Sequence, residues 1–333
     1  MSPRKGGEAP AHRSAPVPRT RQKMSPMARA EQRAGISLIS PTLIIVLVMI
    51  VLPILWTIML AFQQIRLLNL RTAGIFGNYS LSNFTQVFAS AGFLEALVIT
   101  LVYSIAGTGL AILFGLIAAL AMQKPFRGRT FVRAATLIPY VAPIVAVTFV
   151  WTTMLNPQFG IINHWGTEYL GWNQSIPFLS ERQREVSVLG MSFTVPTALL
   201  TVIAFEAWRS FPFAFLFLTA RLQAVPASLD EAARVDGATP TQRFRHILLP
   251  QLLPTIAVLS VLRFIWTFNS FDDIYLLTGG GAGTEVVAVR VYNFLIARGD
   301  IGAASAQALV LAVILAVLVG VYLKFFAKKE EVS

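Results

Sequence analysis

Six apolar runs constrain this chain more than anything else in it. They lie near residues 38–62, 95–122, 131–155, 196–220, 252–277 and 303–326. Each is long enough to cross the roughly 30 Å hydrocarbon core of a bilayer as a helix. The charge content agrees. Of the 333 residues 55% are hydrophobic and 13% charged, where soluble domains carry about 25% charged residues. The expected fold class is an all-α integral membrane protein with six transmembrane helices. The first run is too long for a cleavable signal peptide and has no small-residue cleavage site after it. Residues 1–36 are rich in Arg, Lys, Pro, Ser and Ala, and are expected to form a disordered basic tail that sets orientation. The spans and their loops then occupy 37–328, and 329–333 form a second short tail.

The net charge of +11 does not point to nucleic acid. The basic residues sit in short segments beside apolar spans, not on one folded face. With six spans and a cytoplasmic start, both termini and the 123–133 and 221–254 segments fall on the cytoplasmic side. These segments hold nineteen Lys and Arg, against six outside at Arg66, Arg71, Arg182, Arg184, Arg290 and Arg298. Cytoplasmic loops carry just such an excess. Arg209 and Arg263 lie within spans. There is no Cys, and the only His are His12, His164 and His246. Neither a disulfide framework nor a His-based zinc site is expected.

One cytoplasmic segment is unusually well punctuated. In Ser228–Pro254, SLDEAARVDGATPTQRFRHILLPQLLP, Ser228 and Glu231 have the spacing of a capping box, which predicts a short helix over about 229–235. Asp236-Gly237 stops it, since Gly tolerates the left-handed geometry of a helix end. Thr239, Pro240 and Gln242 start a second helix, and Pro250 is expected to end it. Helices this short are marginal in water unless something holds them. Ala232 and Ala233 keep the first slim enough for a partner to approach. Phe244, Ile247 and Leu248 give the second an apolar face. The segment reads as a rigid knob shaped for another protein's cleft, or as a plain helical hairpin between spans.

Glu231-Ala232-Ala233, then Asp236-Gly237-Ala238, then Ile247-Leu248-Leu249-Pro250 resembles the EAA loop of permease subunits of binding-protein-dependent ABC importers. The resemblance extends over nearly the whole chain after the tail and is strongest to the maltose-type and glycerol-phosphate-type sugar branch. It implies the type I importer permease fold in a bacterial cytoplasmic membrane. It implies that loop 226–251 docks on a cytoplasmic ATPase through Glu231, Ala232, Ala233, Arg234, Asp236 and Gly237. The partners it implies are a second permease in a heterodimer, two copies of that ATPase and an extracytoplasmic sugar-binding protein. No cofactor is expected in this chain, ATP and Mg²⁺ being held by the ATPase.

Charges inside a membrane need a reason, since each costs about 2.5–3.5 kcal/mol to insert. Glu206 and Arg209 stand three apart in FEAWRSFPF, on one helix face with Ser210 and Phe213 near. Acid, base, hydroxyl and rings suit a polyol: the polar groups bond hydroxyls and the rings stack on the sugar's apolar face. The plainer reading is an internal Glu206–Arg209 pair. In the fifth run, FNSFDDIYLLTGGG again resembles sugar-branch permeases. Carried over by position, the substrate path takes Glu206, Arg209, Ser210 and Phe213 with Phe268, Asn269, Ser270 and Asp272. Asp272 and Asp273 rank below the others, being nearer the outer end. Gly107, Gly109 and Gly115 suggest a second span buried against its neighbours, and Pro139 and Pro143 a bend in the third. The long outer loop 156–196 carries Trp165, Tyr169 and Trp172 among other apolar residues, as an interfacial segment would.

The Gly279–Gly281 run lacks GxGxxG spacing, and no GxxxxGK[ST], HExxH or GxSxG occurs. ATP-driven work therefore needs a separate subunit, and no enzyme activity is expected of this chain. Two other classes compete. An ion-coupled secondary transporter acting alone could use Glu206, Asp272 and Asp273, but the six spans show no obvious inverted repeat. An intramembrane acid pair at Asp272 and Asp273 is disfavoured, because adjacent helix residues point about 100° apart.

Overall fold

The computed structural model describes residues 26–188 and 191–330. It falls into two compact units, residues 1–55 and 56–333. The first contains helix α1 (Pro26–Val46), a π-helical turn (Leu47–Val51) and the start of α2 (Leu52–Ala61). The tail expected to be disordered to residue 36 is thus helical from Pro26. The reason lies in residues 27–34, whose Ala, Arg, Glu and Gln are strong helix formers that extend the apolar helix backwards. Residues 1–25 and 331–333 lie outside the described residues.

The second unit is built from helices in chain order: α3 (Ser82–Ala89), α4 (Ala91–Ala121), α5 (Arg129–Val141), α6 (Ile144–Met154) and α7 (Ile161–Tyr169). A two-stranded antiparallel hairpin comes next, β1 (Arg184–Val188) and β2 (Met191–Val195), in register Arg184 with Val195. Then come α8 (Thr197–Gln223), α9 (Ala227–Val235), α10 (Pro240–Arg243), α11 (Leu249–Phe268), α12 (Asp272–Thr278), α13 (Val287–Ile296) and α14 (Ile301–Glu330). Among the described residues five helices are long and apolar enough to span a membrane, or six if the α5–α6 pair counts as one.

The centre of this unit is the α4–α8 pair, which packs more extensively than any other two elements. Close approach is set by Gly115: a Cβ there would lie 2.6 Å from Ala214 Cβ, 2.8 Å from Phe215 N and 2.9 Å from Phe211 O. Gly109 faces open space instead, so not every glycine of this helix serves packing. Ile112, Ala119, Phe215, Leu218, Leu252 and Leu259 form one core cluster along α4, α8 and α11. Tyr103, Val202, Phe205 and Ile274 anchor a second with α6, α12 and α13.

Three expectations about the spans need correction. In the third run, 131–155, the expected bend is a break, with α5 and α6 meeting at 97°, and it falls at Pro143 and not at Pro139, which stays inside α5. Pro143 drives Ala142 out of the α region, to φ −65°, ψ 143°, and itself adopts φ −58°, ψ 130°. The fifth run does not reach 277. Its helix ends at Phe268, and α12 begins separately at Asp272. Nor does Pro250 end a helix. A π-turn (Phe244–Leu248) precedes it, and the helix runs on as a 29-residue rod, Pro240–Phe268. Pro lacks an N–H and its ring strikes the carbonyl four residues back; a widened turn just before it gives the ring room. The same device precedes Pro53, where the π-turn Leu47–Val51 leads into Leu52-Pro53.

The α4–α8 contact can be tested by paired substitutions. Gly115→Ala is expected to destabilise the protein by about 1–3 kcal/mol through overpacking. Gly109→Ala, in open space, should be neutral or stabilising by up to about 1 kcal/mol. Thermal unfolding in detergent reads both.

Candidate functional site

The exposed knob is built in three steps. Pro226 stands at the N-cap of α9 with φ −60° and ψ 126°. Ser228 therefore lies inside the helix, and the Ser228–Glu231 capping box does not form. A capping residue must sit outside helical geometry, and Pro226 with its fixed φ takes that place. The C-terminus behaves as its sequence implies. Gly237 adopts φ +77°, its N–H donates to Arg234 O at 3.1 Å, and Ala238 N–H donates to Ala233 O at 2.9 Å. Those two bonds make a Schellman motif. Thr239 then caps α10: its Oγ1 accepts from Gln242 N–H at 3.4 Å and its own N–H donates to Gln242 Oε1 at 2.8 Å, with Pro240 in the first turn.

Nothing on α9 is buried. Glu231, Ala232, Arg234, Asp236 and Gly237 are exposed and Ala233 is half-buried. Val235 is 89% exposed, an unusual place for an apolar side chain. Asp230 ties the knob to α10. Its Oδ2 accepts from Arg234 Nη2 at 2.6 Å and its Oδ1 from Arg243 Nη1 at 2.6 Å. Desolvation works to raise the Asp230 carboxyl, but the hydrogen bonds from Arg243 and Arg234 outweigh it and hold the group below its ordinary 3.8. A depressed carboxylate stabilises above its ordinary pKa and loses that contribution only as pH falls through the folded value. The link is therefore intact throughout the neutral range. At the end of α8, Arg221 Nε donates to Gln251 O at 3.0 Å, tying that helix to the rod.

A second cluster lies where α4, α8, α11 and α12 meet. Glu206, 1% exposed, is paired with Arg263 of α11. Its Oε1 also accepts from Ser210 Oγ and Thr267 Oγ1, each at 3.0 Å. Arg209 reaches Glu206 only at 3.7 Å. Its fork is set on Asp273, with Nε to Oδ1 and Nη2 to Oδ2 both at 3.2 Å. Tyr103 OH donates to Asp273 Oδ2 at 3.2 Å, and Ser270 Oγ stands 3.5 Å from the same oxygen. The side chain of Arg209 is 27% exposed, against 5% for Arg263. Of the two arginines, Arg209 is the one that opens toward the outside of this chain. Beside it in sequence, Phe213 is packed by Phe217 at 4.7 Å, Trp266 at 5.2 Å and Tyr140 at 5.9 Å between ring centroids. Among the described residues no group of three or more His, Cys, Asp or Glu is arranged to hold a metal ion.

Residues 111–329 match the sequence pattern of the family described as the binding-protein-dependent transport system inner membrane component. The chain belongs to this family. Over 287 residues the permease is 31% identical to the inner membrane ABC transporter permease protein YcjO of Escherichia coli (strain K12), spanning 86% of this chain and 92% of that one. It is 32% identical over 296 residues to the trehalose/maltose transport system permease protein MalF of Thermococcus litoralis, covering 88% and 94%. The sn-glycerol-3-phosphate transport system permease protein UgpA of Agrobacterium fabrum is 32% identical over 262 residues, covering 77% and 83%. In fold, the permease is similar to a chain of a bacterial ABC transporter involved in the import of the acidic polysaccharide alginate. The TM-score is 0.75 at 22% identity, covering 91% of this chain and 99% of that one. The permease is thus an inner-membrane, all-α transport component with the ABC importer permease fold.

Of the residues placed on a substrate path from sequence, the permease brings Glu206, Arg209, Ser210 and Ser270 into one network. Phe268 is apart from it, buried in a cluster with Ala61, Val87, Phe93 and Ala96. Asn269 is exposed and spends its amide on Ile265 O at 2.8 Å, closing the helix end. Asp272 is exposed while Asp273 is fully buried. Asp273, read together with Asp272 as nearer the outer end, is instead drawn into the buried network: the break at 269–271 starts a new helix and turns Asp273 inward, which a continuous span to 277 does not suggest. Sequence reasoning also missed the roles of Arg263, Thr267 and Tyr103. Arg263 and Thr267 are four apart on one helix face, a usable signal. Tyr103, 170 residues from Asp273, gives none.

Because Glu206 is buried, removing its close partner is costly. Arg263→Met is expected to destabilise the permease by about 3–5 kcal/mol. Adding Glu206→Gln should recover most of that loss, since the unpaired buried charge is then gone. The thermal midpoints of single and double variants in detergent check the order.

Proposed function

We infer that this chain is the non-catalytic permease subunit of an ATP-driven importer and carries an uncharged carbohydrate. The observation that carries this reading is the rod Pro240–Phe268. It starts directly after the exposed knob and ends at Arg263 and Thr267 in the buried network. A push on α9 therefore has a stiff path to the polar centre. In this reading α9 docks on a separate cytoplasmic ATPase through Glu231, Ala232, Ala233, Arg234, Asp236 and Gly237. ATP and Mg²⁺ are held there, since this sequence has no phosphate-binding loop. A second permease completes the path as a heterodimer over two ATPase copies, and an extracytoplasmic binding protein delivers substrate. Transport proceeds by alternating access.

The substrate class is argued from charge balance. Two guanidiniums, Arg209 and Arg263, face two carboxylates, Asp273 and Glu206. An anionic substrate at the exposed edge of Arg209 would add a negative charge to a group whose cations are already paired, and would lose its hydration without an unpaired cation to offset the loss. An uncharged polyol needs only the exposed edge of Arg209 for hydroxyls and an aromatic wall around Phe213 for its apolar face. The relative named for trehalose and maltose transport fits this chemistry better than the one named for glycerol-3-phosphate.

Two measurements test the reading. In nanodiscs holding the full complex, Glu231→Ala with Gly237→Pro should abolish the substrate-stimulated part of ATP turnover. Unchanged turnover would make the knob a connector and sink the docking role. Phe213→Ala should raise the transport KM for a neutral oligosaccharide about 3- to 10-fold, as loss of one aromatic contact does. Stimulation by a uronate oligosaccharide but not a neutral one would overturn the charge argument.

A further inference from the structure

The knob has a mechanical weakness and a device that offsets it. α9 buries no residue of its own, and it turns into the rod at Gly237. That glycine holds φ +77° with no atom within 4 Å of where a Cβ would stand. The turn is held by its two backbone hydrogen bonds, Gly237 N–H to Arg234 O and Ala238 N–H to Ala233 O, with no side chain packed over the glycine, so it is the point at which load on α9 bends the chain most easily. One side chain crosses this turn. Asp230 lies in the first turn of α9, and Arg243 is the last residue of α10, where the π-turn begins. Their contact spans thirteen residues at 2.6 Å. Asp230 is itself fixed by Arg234 on its own helix, also at 2.6 Å. The Arg243 side chain is only 18% exposed, so its guanidinium is held by its surroundings and not waving in solvent.

We propose that Asp230 is a positioning residue: with Arg243 it clamps α9 to the rod, so that a stroke on the knob is delivered to α11 instead of being spent at Gly237. The proposal rests on the docking of α9 to an ATPase and adds how that docking is made stiff. Partly exposed ion pairs contribute little to stability. The clamp therefore acts on coupling: without it, ATP is still hydrolysed and the fold persists, but fewer substrate molecules move per ATP.

The chain has no Cys, so the clamp can be replaced chemically. Asp230→Cys with Arg243→Cys would be assembled with Cys-free partner subunits and the binding protein in proteoliposomes. Substrate imported per ATP hydrolysed is then compared in the free-thiol form and after a short bis-methanethiosulfonate tie. The expected result is a ratio reduced about five-fold in the thiol form, the scale one ion pair of this kind sets, and restored by the tie. Asp230→Glu, which keeps the charge, should stay within about two-fold of the unmodified ratio. A thiol form with the unmodified ratio, or a tie that restores nothing while the thermal midpoint is unchanged, overturns the clamp. A photo-crosslinking residue in place of Val235 separates the two ideas. If it captures no ATPase, the docking reading falls and the clamp with it; if it does and the tie fails, the clamp alone falls.

Discussion

The pairing of Glu206 with Arg263 is the interaction on which the polar centre of this permease depends. A lone carboxylate in that position would be among the most costly groups to bury. Once paired, it fixes α8 against α11, and Ser210 and Thr267 use up the remaining capacity of one oxygen. Arg209 is thereby released from the partner that its own helix offers at 3.7 Å and turns its fork to Asp273. That second pair holds α12 in place beyond the break at 269–271, and Tyr103 brings in α4. Four helices thus share one electrically balanced junction in otherwise apolar surroundings.

Packing permits this junction. α4 and α8 approach closely because Gly115 has no side chain to hold them apart, and Gly107 leaves Glu206 Cγ only 3.0 Å of clearance from a Cβ there. The apolar clusters above and below are then sealed by Phe205, Phe215 and Leu218, each almost fully buried. Outside the junction the apolar faces of α4 and α11 stay exposed in the isolated chain, as suits a protein of the membrane.

Much of this was legible in the sequence, and the failures have physical causes. Apolar runs of this length must be helices in a bilayer, so their existence was clear. The Gly237 stop and the Thr239–Gln242 start are local chemistry, and local chemistry can be read locally. The Ser228 cap failed because Pro226, two residues earlier, took its role. The third run was expected to bend at Pro139 and Pro143 but not to break by 97°, and the fifth read as a single helix, because hydropathy records length, not direction. The hairpin at 184–195 went unseen because its alternation is short and sits in a polar loop. At the polar centre, the charged residues stood out but their partners did not. An i,i+3 neighbour is visible in sequence, whereas the Glu206–Arg263 and Tyr103–Asp273 pairs exist only after folding.

The π-turn at Phe244–Leu248 also sets the phase of the rod. A turn closed five residues back holds about one residue more than an α-turn, and one residue rotates a helix by about 100°. The two ends of the rod carry different duties: Arg243 must face α9, and Arg263 must face Glu206. A uniform helix between them would satisfy one and present the other to the wrong side. The wide turn stands directly before Leu249-Pro250, so this dipeptide marks the place where the two ends are indexed to each other. A chain shortened by one residue before Pro250 would keep its composition, its hydropathy and both arginines, yet the two ends would no longer be in register.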